Sequence, residues 1–268
     1  MTPLCIVAKT QRELDDALRL RWTVFGQEKR LLGDSPPGAP REVDCFDTLE
    51  STVHLIVYMG LQPVATTRLL LPNPEVVQIT GTCHGLSLEQ KIDLSDMQSP
   101  TIRLAESTRY CVLEEWRRKP EVLICLQAGL YEESLRRGVT HWVGSANMES
   151  DSQADVAIMI QVAAARGWVS PLWRERALAP SVPPVTPSAP FYTPGQRAQA
   201  HEDRLEGLKM PRTLSLFVQR WGARFISKPL YDAYFHRFSI PLIAALSEFP
   251  ASTRALFKAV SARASRAA

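Results

Sequence analysis

Apolar and polar positions alternate along residues 102–112, with apolar side chains at Ile102, Leu104, Tyr110 and Val112. A period of two residues is typical of a β-strand that buries one face. This predicted strand also carries Glu106 and Arg109, three positions apart. Residues at that spacing point to opposite faces unless a bulge intervenes, so we expect one to face a cleft and the other to brace the core.

The segments on either side of this strand alternate between strand and helix patterns. Thr10 and Glu13 have the spacing of a capping box at a helix start, and Pro120 and Gly138 bound a second helix. The other predicted elements are a strand at residues 4–8, a hairpin at 53–58 and 64–71, a strand at 139–143 and a helix at 148–166. This order predicts an α/β fold with a mixed sheet.

Interruptions of the pattern predict the loops. Residues 33–40 are rich in glycine and proline, and the proline-rich stretch 179–195 predicts an extended loop. Core-like patterns return afterwards, so we expect a single domain over residues 1–268. Residues 252–268 predict a short basic amphipathic helix, which either packs on the protein or contacts an anionic membrane surface.

Composition narrows the class of protein. The chain is 45% hydrophobic and 22% charged, as in soluble globular proteins, and its net charge of +3 is too small to indicate nucleic-acid binding. Five cysteines without CxxC spacing predict reduced thiols in a cytoplasmic protein and no metal site. No apolar segment approaches the roughly 20 residues that a membrane helix needs, which leaves peripheral contact with the inner membrane as the alternative.

Charged residues upstream suggest where chemistry takes place. Glu42, Asp44 and Asp47 fall within six residues, and Arg68 lies among leucines of a predicted hairpin strand. A buried guanidinium needs a carboxylate partner. A solvated acidic loop is the alternative, but we expect these carboxylates and Arg21 to meet around the strand at 102–112. Such a cluster would form one side of a candidate site.

The order of these charges resembles a known family. Arg21 followed by Phe25, the spacing Glu42-x-Asp44-x-x-Asp47, then Arg68 and Glu106-x-x-Arg109 resemble the autoinducer synthases, which make acyl-homoserine lactones. Their relatives in the GNAT acyltransferase superfamily share the pattern, and the similarity spans roughly residues 5–170. The resemblance implies a GNAT-like fold with a mixed, mostly antiparallel central sheet flanked by helices.

Some positions depart from the synthase pattern. Leu31 and Leu32 stand where those enzymes usually have tryptophan, and Thr108 stands where serine usually precedes the arginine. The C-terminal part is more similar to ornithine N-acyltransferases of lipid synthesis and to N-acyl amino acid synthases, and His54-Leu55 after the acidic segment favours the same families. The C-terminal residues that carry this similarity are Trp221-Gly222-Ala223-Arg224, Pro229, Asp232 and Phe235. The acceptor therefore stays open between these families.

The resemblance also implies roles for individual residues. The amine must be neutral when it attacks a thioester, so Glu42, Asp44 and Glu106 are the catalytic candidates for removing its proton. The substrate-binding candidates are Arg21, Phe25, Asp47, Arg68 and Arg109. Backbone N–H groups of Tyr110, Cys111 and Val112 are the candidates for stabilising the oxyanion.

The acyl donor is inferred from the stretch after the strand. Residues 113–120 lack the glycine-bearing turn with which acetyl-CoA enzymes of this superfamily cradle pyrophosphate. The basic run there is Arg117, Arg118 and Lys119, and it suits the acidic surface of an acyl carrier protein. The alternative is a solvated helix start. Apolar residues at Leu123, Leu126 and Leu130, with Trp142 and Met148 beyond, could line an acyl tunnel, although most such residues belong to a core.

The sequence therefore predicts an N-acyltransferase without a permanently bound cofactor. Its donor is acyl-carrier-protein-bound or CoA-bound fatty acid, and its acceptor is a small amine. The first choice is synthesis of an acyl-homoserine lactone, a quorum-sensing autoinducer, from S-adenosylmethionine. The alternatives are N-acylation of an amino acid or ornithine, a CoA-dependent acetyltransferase, and a non-catalytic GNAT-like binding module.

Overall fold

A computed structural model describes residues 2–32, 40–179 and 182–267, with side chains through residue 262. Most of the loop predicted at residues 33–40, and two residues of the loop predicted at 179–195, lie outside these ranges.

Eight strands and seven helices are found in the described residues. The strands are β1 (Pro3–Val7), β2 (Thr52–Met59), β3 (Gln62–Leu70), β4 (Leu104–Val112), β5 (His141–Asn147), β6 (Arg224–Phe225), β7 (Leu230–Asp232) and β8 (Arg237–Ala245). The helices are α1 (Gln11–Trp22), α2 (Pro74–Thr80), α3 (Pro120–Arg136), α4 (Gln153–Ala165), α5 (Pro194–His201), α6 (Arg212–Trp221) and α7 (Ala251–Ala267). A π-helical segment, Thr23–Glu28, extends α1, and short 3₁₀ helices include Ser87–Gln90.

The strands form one mixed sheet in the order β1-β2-β3-β4-β5-β8-β6, with β7 paired to β8. The pair β4 and β5 is parallel and the other pairs are antiparallel. This arrangement confirms the predicted α/β class with a mostly antiparallel sheet. The strand predicted at residues 102–112 is β4, which begins two residues later than predicted.

The proline-rich segment ends earlier than predicted, because Pro194 and Gly195 belong to α5. Thr193 accepts a hydrogen bond from Gln196 N, and proline suits the first helical position because its missing N–H has no intrahelical acceptor there. Asp151 holds the preceding loop through hydrogen bonds from Ser188 N at 2.8 Å and Ala189 N at 2.9 Å. The prediction of one domain over residues 1–268 stays a prediction.

The C-terminal helix predicted at 252–268 is α7. Its Phe257 is fully buried and contacts Tyr131 of α3, with ring centroids 5.6 Å apart. The helix is therefore packed against the protein along one face, and its contact with a membrane stays a prediction. No described helix is both long and apolar enough to cross a bilayer.

The centre of the sheet opens into a wedge. Strand β4 pairs with β5 only from Leu104 to Glu106, whereas β5 pairs with β8 along its whole length. A Cβ atom on Gly144 would lie 2.6 Å from the carbonyl oxygen of Ser107, so only glycine fits where the two strands begin to separate. Beyond that point, the backbone edges of β4 and β5 face each other across a gap.

A bulge in β4 lies beside the wedge. The pairing of β3 with β4 shifts by one residue between Thr66 and Arg68, and Arg109 in the bulge has a φ of 57°. A left-handed backbone is unfavourable for a residue other than glycine, and such strain is retained where surrounding contacts fix it. The bulge changes the direction of Arg109 relative to Glu106.

Candidate active site

Arg21 of α1 and the acidic segment 42–47 form the buried start of an ion-pair network. The Arg21 guanidinium donates to both oxygens of Asp47, from Nη1 at 2.6 Å and from Nη2 at 3.0 Å. It also donates to Glu42, and all three side chains are almost fully buried. The bidentate geometry is the strong form of this interaction.

Arg68 of β3 extends the network from the sheet. Its Nη1 donates to Asp44 Oδ1 at 2.6 Å and to Asp47 Oδ1 at 2.7 Å, and its Nη2 donates to Asp44 Oδ2 at 2.9 Å. Arg68 has no exposed surface. The sequence-based expectation that this arginine meets the acidic segment is confirmed by these contacts.

Arg109 in the β4 bulge closes the network. Its Nε donates to Glu42 Oε1 at 2.9 Å, and its Nη2 donates to Asp44 Oδ2 at 2.8 Å. Three arginines and three carboxylates are thus joined in one network, in which the formal charges cancel. We call these six residues the ion-pair network: Arg21, Glu42, Asp44, Asp47, Arg68 and Arg109.

The network makes two of its carboxylates weak bases. Burial acts to raise the pKa of both Asp44 and Asp47. It is outweighed by Arg68 and Arg109 at Asp44, and by Arg21 and Arg68 at Asp47. The pKa of each carboxyl therefore lies below its ordinary value. A carboxylate that holds its negative charge so strongly has little tendency to accept a proton from an amine.

Glu106 of β4 has a different environment. Its Oε1 accepts from Ser87 Oγ at 2.7 Å and its Oε2 accepts from Leu88 N at 2.9 Å. The side chain is 4% exposed, and burial raises its pKa above the ordinary value although both hydrogen bonds oppose the shift. Glu106 is consequently a stronger base than Asp44 or Asp47.

A cavity of about 660 Å³ fills the wedge between β4 and β5. Residues 106–112 of β4 form one wall and residues 143–147 of β5 form the other. One part of the lining is apolar and aromatic: Leu123, Trp142, Leu216, Phe217 and Trp221. Volumes of 300–1,000 Å³ are typical of small-molecule sites.

The cavity receives some of the predicted site residues and not others. Glu106, Arg109, Phe25 and the three oxyanion candidates line it. Among the described residues, the lining does not include Glu42 or Asp44, which reach the cavity only through Arg109. Of the residues predicted for an acyl tunnel, Leu123 and Trp142 line the cavity, whereas Leu126, Leu130 and Met148 are fully buried in the core.

The three basic residues after β4 differ in their contacts. Arg117 donates to Glu28 and, from Nε, to the carbonyl oxygen of Val112 at 3.1 Å. Lys119 lies over the ring of Trp116 with Nζ 3.9 Å from the centroid, and Arg118 is exposed. Of the three cations predicted to dock a carrier protein, Arg117 is therefore partly committed to contacts within the chain.

The turn between β7 and β8 contributes to the site, a role that the sequence analysis did not assign to it. The hydroxyl of Tyr234 donates to Glu42 Oε1 at 3.2 Å across 192 residues of chain. The guanidinium carbon of Arg109 lies 5.3 Å from the centroid of Phe235, and Phe235 packs edge-on against Phe25 at 5.3 Å. No periodicity joins such distant segments, and the available signal was the similarity of the C-terminal part, including Phe235, to ornithine N-acyltransferases.

Ser87 and Leu88 were also missed. They lie in the stretch between β3 and β4, in which no site residue was predicted. The described residues contain no group of three or more histidine, cysteine or acidic side chains arranged to hold a metal ion.

Part of the chain matches a known protein family. Residues 20–127 match the family model of the acetyltransferase (GNAT) domain. The chain has a GNAT acyltransferase fold. The match confirms the predicted enzyme class, an acyltransferase, and no significant match was found among curated proteins.

Solved structures show the same fold across nearly the whole chain. TofI, in a ternary complex with an inhibitor and MTA, is 13% identical with a TM-score of 0.50, covering 96% of this chain and 97% of TofI. FeeM, an N-acyl amino acid synthase from uncultured soil microbes, is 11% identical with a TM-score of 0.51, covering 92% of this chain and 91% of FeeM.

A third structure with this fold holds two small molecules. BjaI, a CoA-dependent acyl-homoserine lactone synthase with SAM and isopentyl-CoA, is 14% identical with a TM-score of 0.50. The match covers 97% of this chain and 89% of BjaI. The predicted resemblance to these synthases is confirmed at the level of the fold.

His54, which contacts the ion-pair network, gives one prediction for stability. His54 of β2 is buried, and its Nε2 lies 2.9 Å from the carbonyl oxygen of Asp47. Burial lowers the pKa of His54, so the unfolded chain binds a proton at a higher pH than the folded chain. The free energy of unfolding should fall as the pH drops below about 6.5, by at most about 1.4 kcal/mol per unit from this residue.

Denaturant unfolding at pH 7.5 and 5.5 tests this prediction. His54→Gln keeps a donor for the Asp47 carbonyl and should reduce the loss of stability between the two pH values. His201→Gln, at an exposed position of α5, should not. Asp44 and Asp47 contribute separately, because their lowered pKa values cost stability only below about pH 4. The raised pKa of Glu106 acts in the opposite direction, and it does so equally in wild type and His54→Gln. An equal loss in wild type and His54→Gln would contradict the prediction.

Proposed function

We propose that the protein transfers a fatty acyl group from a thioester to the amino group of an amino-acid-derived acceptor. The observation that carries the proposal is the position of Glu106 and Arg109. Both lie on β4 and line one large cavity with an apolar end. A base, a carboxylate-binding cation and an apolar chamber together suit N-acylation of an amino acid derivative.

The wedge suits the thioester arm. Beyond Glu106, β4 is no longer paired with β5, so an extended donor arm can lie between the strands and bond to their backbone edges. The thioester carbonyl would then lie near residues 110–112, whose backbone N–H groups are the proposed oxyanion donors. The acyl chain would extend towards Phe217 and Trp221.

Glu106 is the proposed proton acceptor. A protonated amine carries no lone pair for attack, and Glu106 is the cavity-lining carboxyl whose burial raises its pKa towards that of a useful base. Its action proceeds directly or through one water molecule. The developing tetrahedral intermediate then collapses, the amide forms and the donor leaves as a thiol.

Glu42 and Asp44 were predicted as catalytic residues, and we propose that they act by orienting Arg109. They hold the Arg109 Nε and Nη2 atoms. The remaining Nη1 has only a long contact of 3.4 Å with Thr108 Oγ1, which leaves it able to bind the acceptor carboxylate. Arg21, Arg68 and Asp47 complete the support, and Phe25 contributes to the cavity wall.

Two acceptors follow from this site. The spacing of the acidic residues resembles that of the autoinducer synthases, which supports acyl-homoserine lactone synthesis from S-adenosylmethionine, with a role in quorum sensing. N-acylation of a free amino acid is the second candidate. The cavity lining includes the cations Lys29, Lys91 and Arg237, which suit an acceptor that keeps its carboxylate.

Thiol release tests the proposal and separates the donors. Purified protein is incubated with acyl-carrier-protein or acyl-CoA thioesters and with each candidate amine. Mass spectrometry of lipid extracts from an expressing bacterium then identifies the acylated product. Release of thiol only from acetyl-CoA would favour an acetyltransferase, and binding of thioester without turnover would favour a non-catalytic module.

Carrier-protein docking has its own prediction. Arg118→Glu combined with Lys119→Glu should raise the apparent KM for an acyl-carrier-protein donor about tenfold or more, because like charges repel its acidic surface. The KM for the acceptor amine should not change. Arg117 is left intact because it bonds to Glu28. Glu114→Gln, an exposed change nearby, is the control, and an unchanged donor KM in the double variant would contradict docking at this surface.

A further inference from the structure

The carboxylate of Glu106 is held by two adjacent residues of the connection between β3 and β4. Ser87 Oγ bonds to one oxygen at 2.7 Å, and Leu88 N bonds to the other at 2.9 Å. Ser87 also lines the cavity. Both donors come from the 3₁₀ helix Ser87–Gln90, so this short element fixes the position of the carboxyl group.

The other charged groups near Glu106 have partners elsewhere. Arg68 from β3 and Arg109 from β4 attract the carboxylate, but both donate their hydrogen bonds to the ion-pair network. Lys91, beyond the 3₁₀ helix, bonds to Asp232 Oδ2 at 2.7 Å.

The neighbouring acid on the 3₁₀ helix is likewise engaged. Glu89 accepts hydrogen bonds from the backbone N–H groups of Cys83, His84 and Leu86. Its carboxylate is therefore held by the preceding loop. Within the part of the chain that the structure describes, Ser87 is the side chain whose hydrogen bond to Glu106 a single substitution can remove.

We propose that Ser87 is a positioning residue for Glu106: its hydroxyl holds the carboxyl group at the cavity wall and favours the ionised form that accepts a proton. The proposal rests on the proposed function of Glu106. A hydrogen bond to an ionised carboxylate is worth more than one to the neutral acid, because the negative charge strengthens it. Ser87 therefore offsets part of the effect of burial on this base.

The pH dependence of kcat/KM tests the proposal. Glu106 must be ionised to act, so activity rises with pH through its pKa. Ser87→Ala should move this acid limb upward by about one pH unit, since hydrogen bonds to charged groups are worth about that much. Activity on the high-pH plateau should be largely retained, and Ser87→Thr, which keeps a hydroxyl, should restore the wild-type limb.

Ser95→Ala is the matched control. Ser95 lies on the same connection between β3 and β4, is exposed, and does not contact Glu106. It should leave the acid limb where the wild type has it. An unshifted limb in active Ser87→Ala, or a shift of equal size in Ser95→Ala, would overturn the proposal.

A second measurement does not depend on turnover. Carbon-detected NMR of protein labelled at the glutamate carboxyl follows the titration of Glu106, which is assigned by its disappearance in Glu106→Gln. The titration midpoint should rise in Ser87→Ala even if the protein proves inactive with every thioester and amine. Equal midpoints in wild type and Ser87→Ala would overturn the role of Ser87, whereas inactive wild type with different midpoints would overturn only the proposed reaction.

Discussion

Glu106→Gln should lower kcat for amide formation by about 10²–10⁴-fold, the usual contribution of a positioned general base. Glutamine keeps the size of the side chain and an oxygen that accepts from Leu88 N. It cannot take a proton from the amine. Because burial disfavours the ionised glutamate, the neutral amide should leave the free energy of unfolding unchanged or higher.

Steady-state kinetics and denaturant unfolding of the same preparation measure both effects. Glu121→Gln, on the exposed side of α3, is the matched control and should retain wild-type kcat. The assignment would be wrong if Glu106→Gln kept full activity. It would also be wrong if activity were lost only in proportion to a loss of folded protein.

Asp47→Asn should have the largest effect on stability. Asp47 accepts hydrogen bonds from Arg21 and Arg68, and it is fully enclosed. Removing its charge leaves the network with a surplus positive charge away from water. Breaking a buried pair in this way costs about 3–5 kcal/mol, because the remaining ion is not compensated.

Asp15→Asn is the matched control, and it should change the free energy of unfolding little. Asp15 also bridges two arginines, Arg19 and Arg41, but its side chain is 27% exposed and those of its partners are 48% and 30% exposed. Pairs screened by solvent contribute about 0–1 kcal/mol. Equal losses in the free energy of unfolding for the two variants would contradict the account of the network as a buried scaffold.

The convergence of charges was predictable because it follows from a simple physical requirement. Arg68 lies in an apolar strand, and a buried guanidinium must find a carboxylate. The acidic segment 42–47, with three carboxylates in six residues, was the expected partner, and it is the partner found in the structure. Strand β4 was predictable for a similar reason, since its alternation depends only on local pattern.

The features that could not be predicted from the sequence depend on packing between distant segments. The wedge exists because β8 pairs with β5 along its length while β4 separates from β5 after Glu106, and no local pattern encodes that separation. The contact of Tyr234 with Glu42 spans most of the chain. Ser87 was hidden in a stretch without periodicity, where a single 3₁₀ turn brings its hydroxyl to Glu106.

The roles of the three acids also depend on their surroundings in the folded protein. Glu42, Asp44 and Glu106 are chemically equivalent in a sequence, and all three were predicted to be catalytic. Only their surroundings distinguish them, because guanidinium partners lower the pKa of Asp44 while burial raises that of Glu106. The proposed separation into orienting and proton-accepting carboxylates follows from that difference.

The stoichiometry of thiol and amide tests the central claim most directly. Purified protein is mixed with a long-chain acyl thioester and an amino-acid-derived amine, and free thiol and acylated amine are quantified together over time. The account predicts equal amounts of both products, dependence on the amine, and loss of both in Glu106→Gln. Thiol released at the same rate without any amine, or no amide formed with any acceptor, would contradict it.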